Sequence, residues 1–354
     1  MLAAAQQPDV ISFAGGLPAP DSFDGIKLGE PPRDFLQYGA TEGECELREK
    51  ISRELAGIGL ICPASRILVL SGSQQGIDLT AKLCIDPGTA VAIEEPSYLA
   101  ALQVFRFFGA TLQTFDTDWS QFRPSLAYVT PTFQNPTGRC WSRAQREVTA
   151  RNCDLHDTIL FEDDPYRDLS YDPCDRTPIC SLIKTAPWIY QGSFSKTVAP
   201  GLRIGFLAAS EAVFAHLVHL KQAADLHTNR LSQWIVLQYL NDHGRQERLE
   251  HLVARYRKRR DLFANAMERH LGGLADWDVP PGGLFFWATL RGGLSAESLL
   301  QTAIPRKVLF TPGSHFSGNP SSSPSTLRLN FSHADAAKAE KGLAILGELI
   351  RQRA

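Results

Sequence analysis

The sequence predicts an α/β chain: a mostly parallel sheet flanked by helices, followed by a smaller α+β part. Three observations carry this. Between residues 65 and 210 short β-rich runs alternate with longer helical stretches, the order expected of βα units laid on a parallel sheet. The runs are almost continuously apolar rather than alternating, as strands covered on both faces are. Beyond residue 210 the pattern passes to long amphipathic helices and two further β-like runs.

Taken in order, Met1 to Val10 is a short Ala/Gln stretch without basic residues, lacking the charged region and apolar core of a signal peptide. The β-rich runs are Ile67-Leu-Val-Leu70, Ala90-Val-Ala-Ile93, Leu126-Ala-Tyr-Val129, Thr158-Ile-Leu-Phe161, Trp188-Ile-Tyr190 and Ile204-Gly-Phe-Leu207. From Glu247 to Leu271, Leu249, Leu252, Val253, Tyr256, Phe263 and Met267 recur at three- and four-residue spacing, one apolar stripe of a helix. The basic run Arg255-Tyr-Arg-Lys-Arg-Arg260 lies on the same helix and reads as a solvated face. Gly283-Leu-Phe-Phe-Trp287, led by Gly282, and Thr326-Leu-Arg-Leu-Asn330 read as strands, Ser321 to Ser325 as a surface loop, and Ala334 to Arg351 as a closing helix.

Composition excludes much. At 354 residues and 39.1 kDa the chain has room for about two domains. With 44% hydrophobic and 21% charged residues it has the make-up of a folded globular protein. The balance of 36 basic and 38 acidic residues gives 36 − 38 = −2, which argues against a nucleic-acid surface or a polybasic membrane anchor. No window approaches 18 unbroken apolar residues. The seven cysteines, an odd number without a C-x-x-C, read as reduced, buried thiols of a cytoplasmic protein rather than a disulfide framework or zinc site. The nine histidines form no H-E-x-x-H, so no metal is expected.

The segments at the carboxyl ends of the strands are more informative. The runs lead into Ser71-Gly-Ser-Gln-Gln-Gly76, Glu94-Glu-Pro-Ser-Tyr98, Thr130-Pro-Thr-Phe-Gln-Asn-Pro-Thr-Gly138, Glu162-Asp-Asp-Pro-Tyr166 and Gln191-Gly-Ser-Phe-Ser-Lys196. In open parallel sheets ligands bind beyond the carboxyl ends of the strands, so these loops should converge on one crevice. Singly each has a plain explanation. Gly72 to Gly76 could cradle a phosphate at a helix N-terminus, or simply supply an N-cap serine. Asn135-Pro-Thr-Gly138 is turn chemistry. Lys196 alone would pass for a surface lysine, and its S-x-x-K setting lacks the S-D-N and K-T-G that accompany it in penicillin-binding enzymes.

Together these segments resemble the fold-type I, class I/II aminotransferases, which use pyridoxal 5′-phosphate (PLP), and within them the 2-aminoadipate and kynurenine aminotransferase-like group. The resemblance runs from Ile11-Ser-Phe-Ala-Gly-Gly-Leu-Pro18 to Leu327-Arg-Leu-Asn330, and is most specific over Gly192-Ser-Phe-Ser-Lys-Thr-Val-Ala-Pro-Gly-Leu-Arg-Ile-Gly205. It implies the fold-type I transferase architecture: a large domain, residues 36–255, with a mostly parallel seven-stranded sheet, and a small α+β domain made of residues 1–35 and 256–354. It also implies site roles. Lys196 would hold PLP covalently and then act as the base. Asp163 would pair with the pyridine nitrogen. Tyr166 and Asn135 would bond the ring's 3-hydroxyl oxygen, and Tyr98 would stack on the ring.

Ser73, Gln74, Ser193, Ser195 and Arg203 would hold the phosphate end. Tyr38 would reach the phosphate of the neighbouring subunit, so a homodimer is expected. Arg328 would grip the substrate α-carboxylate in a bidentate fork, with Gly16 passing close by. Only ten residues precede Ile11, where relatives carry a longer segment over the active site, and no winged-helix domain precedes the fold; the substrate side chain is left unnamed. The expected reaction moves the amino group of an α-amino acid to a 2-oxo acid, 2-oxoglutarate foremost. The alternatives are a PLP-dependent lyase, decarboxylase or cyclase, or a non-catalytic PLP-binding effector module. The complete set of Lys196, Asp163, Asn135, Tyr166 and Arg328 argues against the last.

Overall fold

The computed structural model describes residues 7, 9–23, 26, 29–318 and 325–353. The Ser/Pro loop at 321–325 lies outside these apart from Ser325, as does most of the stretch 1–10. The main sheet has seven strands: β2 (Ile67–Leu70), β3 (Ala90–Ile93), β4 (Thr111–Thr114), β5 (Leu126–Val129), β6 (Ile159–Asp163), β7 (Trp188–Ser193) and β8 (Gly205–Ala209), in the order β2-β8-β7-β6-β5-β3-β4. Side chains alternate between two cores. Ile67, Val69, Val129, Leu160 and Ala208 face one core, and Leu68, Leu70, Val91, Phe161 and Leu207 the other. Both faces of these strands are therefore covered, which is why their runs lack a polar alternation; the edge strand β4 is the exception.

Helices α1 (Cys45–Gly57), α5 (Arg143–His156) and α7 (Arg230–Asn241) supply the first core; α2 (Ser73–Cys84), α3 (Leu99–Phe107) and α6 (Glu211–Asp225) supply the second. A single helical turn, α4 (Trp119–Phe122), leads into β5. Ser142 caps α5 in a reciprocal capping box with Gln145, which satisfies donors that a helix start leaves free.

The second part is built on α8 (Arg245–Leu271), one continuous 27-residue helix that spans the expected boundary near residue 255. Beside it stand β9 (Ala275–Trp277), β10 (Phe285–Leu290), β12 (Thr311–Pro312) and β13 (Thr326–Asn330), a four-stranded antiparallel sheet in the order β12-β13-β10-β9, with α9 (Ala296–Ala303) and α10 (Ala336–Arg351). The N-terminal β1 (Ile11–Ser12) runs parallel to β11 (Val308–Leu309), and Phe13 is fully buried against Phe263 of α8.

The mostly parallel seven-stranded sheet is as expected, with β8 antiparallel to both β2 and β7; three other points differ from the sequence reading. The edge strand β4 was not foreseen, because Thr111-Leu-Gln-Thr114 is half exposed and carries no apolar run. Arg260 is not on a solvated face: it is buried, stacks on the Tyr171 ring at 5.3 Å, donates to the Pro280 carbonyl at 3.0 Å and pairs with Asp172. Finally, not every thiol is buried. Cys45 is exposed, and Cys84, Cys140 and Cys174 are half-buried; all seven are free. Among the described residues no helix is long and apolar enough to cross a membrane, and no group of three or more His, Cys, Asp or Glu could hold a metal ion.

Candidate active site

The five strand-end loops meet in one cavity of about 460 Å³, a size suited to a cofactor with a small substrate. The structure brings Gly16, Ser73, Gln74, Tyr98, Asn135, Asp163, Tyr166, Ser193, Ser195, Lys196, Arg203 and Arg328 to its wall. Leu17, Pro18, Leu99, Ala100 and Gln103 are among the other residues that line it.

Lys196 lies just past β7, with Nζ 2.9 Å from the Gly16 carbonyl and 5.9 Å from the centre of the Tyr166 ring. Burial, reinforced by the cations Arg328 and Arg203, lowers its ammonium to about 8, since both disfavour the charged form. At pH 7 about a tenth of the amine is then neutral, far more than for an ordinary lysine, and the neutral form is the nucleophile.

Asp163 closes β6 and is buried. Burial raises its carboxyl to about 6, opposed by hydrogen bonds from the Gln191 amide and the Tyr128 hydroxyl, each at 2.8 Å. The group is therefore mainly ionised at neutral pH, a buried anion with no ion pair among the described residues. Tyr128 and Gln191 escaped the sequence reading. The available signal was a polar group in the middle of a strand buried on both faces, which has to find a partner.

At the opposite end the guanidinium of Arg203 packs over Gly72, where a Cβ would collide with it and where φ is +84°. A Cβ on Gly205 would sit 2.8 Å from the Ser73 amide nitrogen. The two glycines open a cradle between an arginine and the start of α2, whose first turn has no side-chain cap. Unpaired N–H groups, the positive end of a helix and a guanidinium together make an anion seat. Lys221 braces this seat from behind: buried, it donates to Gln75 at 2.8 Å, Thr228 at 2.9 Å and Asp225, which in turn accepts from Ser71 at 2.9 Å.

Arg328, on β13, is buried between the rings of Phe285 and Phe316, 4.2 and 4.9 Å from their centres. It donates to Asn135 at 2.7 Å and to the Ala14 carbonyl, while its Nε has no partner. Burial lowers it to about 10, so it remains a cation at neutral pH. Tyr98 and Tyr166 are both pushed up by burial and stay protonated. Tyr98 reaches Gln74 at 3.4 Å.

A buried carboxylate at one end, an anion cradle at the other, a near-neutral lysine between them and an arginine with a spare donor above fit PLP and an α-amino acid. Tyr38 is placed elsewhere. It is 76% exposed, stands edge-on to His227 at 5.8 Å, and shares a surface hollow with Phe35, Leu36, Asn229, Arg230 and Leu231.

Comparison with known proteins agrees with this geometry. The family "Aminotransferase class I and II" matches residues 29–346. Aromatic-amino-acid aminotransferase 1 of Thermococcus litoralis is 33% identical over 99% of this chain and 90% of its own length. The 2-aminoadipate transaminase of Thermus thermophilus is 34% identical over 99% and 92%. The crystal structure of Pyrococcus horikoshii kynurenine aminotransferase in complex with PMP superposes with a TM-score of 0.90 at 31% identity, covering 99% of this chain and 93% of that one.

Proposed function

The chain belongs to the class I and II aminotransferases, PLP-dependent enzymes, and from that premise we propose a ping-pong reaction that moves the amino group of an α-amino acid to 2-oxoglutarate. The observation that carries this reading is the half-buried Lys196 amine, which shares one cavity with Asp163 and Arg328.

Bound there, the cofactor supplies an aldehyde carbon and an electron-withdrawing ring that make the substrate Cα proton removable. Lys196 would hold the cofactor through its amine and would serve as the base that takes up and returns the substrate's Cα proton. Asp163 keeps the pyridine nitrogen protonated. Its Tyr128 and Gln191 donors keep it ionised for that task. Asn135 and Tyr166 would hold the cofactor's 3-hydroxyl, Tyr98 would pack on its ring, and Ser73, Gln74, Ser193, Ser195 and Arg203 would hold its phosphate. Arg328 takes the α-carboxylate on the donors it has left, and its stacking on Phe285 and Phe316 fixes the plane of approach.

Residues 36–255 form the large domain in this reading, and 1–35 with 256–354 the small one. The working unit is a cytoplasmic homodimer in which Tyr38 completes the neighbouring site. The exposed Leu36 and Tyr38 suit burial by a second copy.

A half-reaction assay tests the proposal. Added singly, a suitable amino acid should convert the bound cofactor from its aldehyde to its amine absorbance, and 2-oxoglutarate should reverse it. Conversion with no reversal by 2-oxoglutarate would overturn the acceptor. No conversion by any of the protein amino acids would overturn the donor half.

A further inference from the structure

Arg328 is held on its faces as well as at its ends. Its terminal nitrogens each give a hydrogen bond, to Asn135 and to the Ala14 carbonyl, and its two faces are covered by Phe285 and Phe316. Phe285 is fixed by the sheet: it lies in β10, paired with Asn330 of β13, and stands edge-on to Tyr166 at 5.8 Å. Phe316 is a different case. It ends a single helical turn, Gly313–Phe316, that follows β12, and no strand pairing holds it. Within the second part of the chain the Trp287 ring meets it edge-on at 5.8 Å.

The backbone at Phe316 is tied instead to the first part. The Phe316 carbonyl accepts from the Ser97 N–H at 2.7 Å. Arg106, on α3, donates from Nη2 to the Ser317 and Gly318 carbonyls, each at 2.8 Å. The Gly318 N–H donates to Glu95 at 2.8 Å. A Cβ on Gly318 would stand 3.2 Å from the side chains of Glu95 and Ile93, so the two segments are in close contact. Glu95 and Ser97 belong to the loop that leads through Tyr98 into α3. The latch therefore joins the Tyr98 loop to the aromatic cover of Arg328.

We propose that Arg106 is a positioning residue for recognition of the α-carboxylate. By bridging the Ser317 and Gly318 carbonyls it keeps Phe316 on the Arg328 guanidinium, and so fixes the plane in which that fork meets its ligand. The inference rests on the reading of Arg328 as the α-carboxylate site. Arg106 does not itself line the cavity. Its side chain is exposed, so its removal leaves the core packing untouched.

The experiment takes the amino acid that converts the bound cofactor fastest and the primary amine left when its α-carboxylate is removed. Both are given singly to the PLP-loaded enzyme, and the loss of the aldehyde absorbance is followed. Only the amino acid uses Arg328. In Arg106→Ala its half-saturating concentration should rise about tenfold, the effect of losing hydrogen bonds from a charged donor. Its limiting rate, and the rate with the amine, should stay within about twofold. The preference for amino acid over amine thus falls about tenfold. Arg106→Lys should recover part of it, because a charged donor is kept, and Glu95→Ala, which cuts the same latch, should lower it in the same direction. An unchanged preference in Arg106→Ala, or an amine rate that falls as far as that of the amino acid, would overturn the proposal. A wild-type enzyme that does not prefer the amino acid to its amine would defeat the reading of Arg328 instead.

Discussion

Side chains in this cavity are charged because their surroundings hold them so, and single substitutions should expose the balance. Burial alone would neutralise Asp163; the Tyr128 hydroxyl and Gln191 amide keep its carboxyl near 6. Tyr128→Phe removes one hydrogen bond to a charged group, worth about 1.5–3 kcal/mol. The carboxyl should rise further, so the acid limb of kcat/KM should move up by about one to two pH units, with activity recovered as pH increases. An acid limb that stays in place would mean Tyr128 only fills space. Arg328 is the complementary case, a cation kept charged although buried. Arg328→Ala should raise KM for amino acids by a factor of about 30 or more, from the 2–5 kcal/mol lost when one partner of a buried charged pair is removed. Arg328→Lys should rescue little, since an ammonium cannot reproduce the fork. An unchanged KM in a folded variant would assign the carboxylate to another residue. Every residue expected at the cavity except Tyr38 is on its wall, most of them in loops directly after strands, where sequence order and spatial order coincide. Tyr128 and Gln191 were less legible, since they sit inside strands and their partner comes from a third.

Legibility at the level of elements followed burial. Strands covered on both faces, such as β2, β3 and β5, have the bounds their apolar runs suggested. The elements missed are those whose pairing, rather than composition, makes them strands. These are the edge strand β4, the three-residue β9, and the two-residue β1, β11 and β12, whose partners lie far away in sequence. Short local signals do matter at helix ends. Ser142→Ala dismantles the capping box of α5, at a cost of about 1 kcal/mol. The denaturation midpoint should fall accordingly, while KM for the amino donor stays within about twofold, as expected of a surface change outside the cavity. A midpoint that does not move would show that the buried anchor of this helix suffices alone. That anchor is Arg146, which donates to Pro131 at 2.8 Å and Thr177 at 3.0 Å.

At the scale of the whole molecule the open question is whether one chain makes a complete site. Within a single chain Tyr38 faces outward beside His227, on a surface that also exposes Leu36. Arg230 anchors the preceding segment: it pairs with Glu44 at 2.6 Å and donates to the Asp34 carbonyl at 2.5 Å and the Gln37 carbonyl at 3.3 Å. Under the proposed dimer, this exposed tyrosine would act outside its own subunit. Subunit mixing decides the matter. Tyr38→Ala should weaken phosphate binding and be poorly active at limiting PLP, and Lys196→Ala should be inactive. In a mixed dimer one site draws Lys196 from the first variant and Tyr38 from the second, and is intact; the other site lacks both. Half the sites in half the dimers then work, so an equal mixture should recover about a quarter of wild-type turnover if the twofold assembly is right. If Tyr38 serves its own chain, or the protein works as a monomer, mixing recovers nothing beyond the sum of the two variants. Sedimentation of the mixture, run alongside, separates a failure to exchange subunits from a failure to complement.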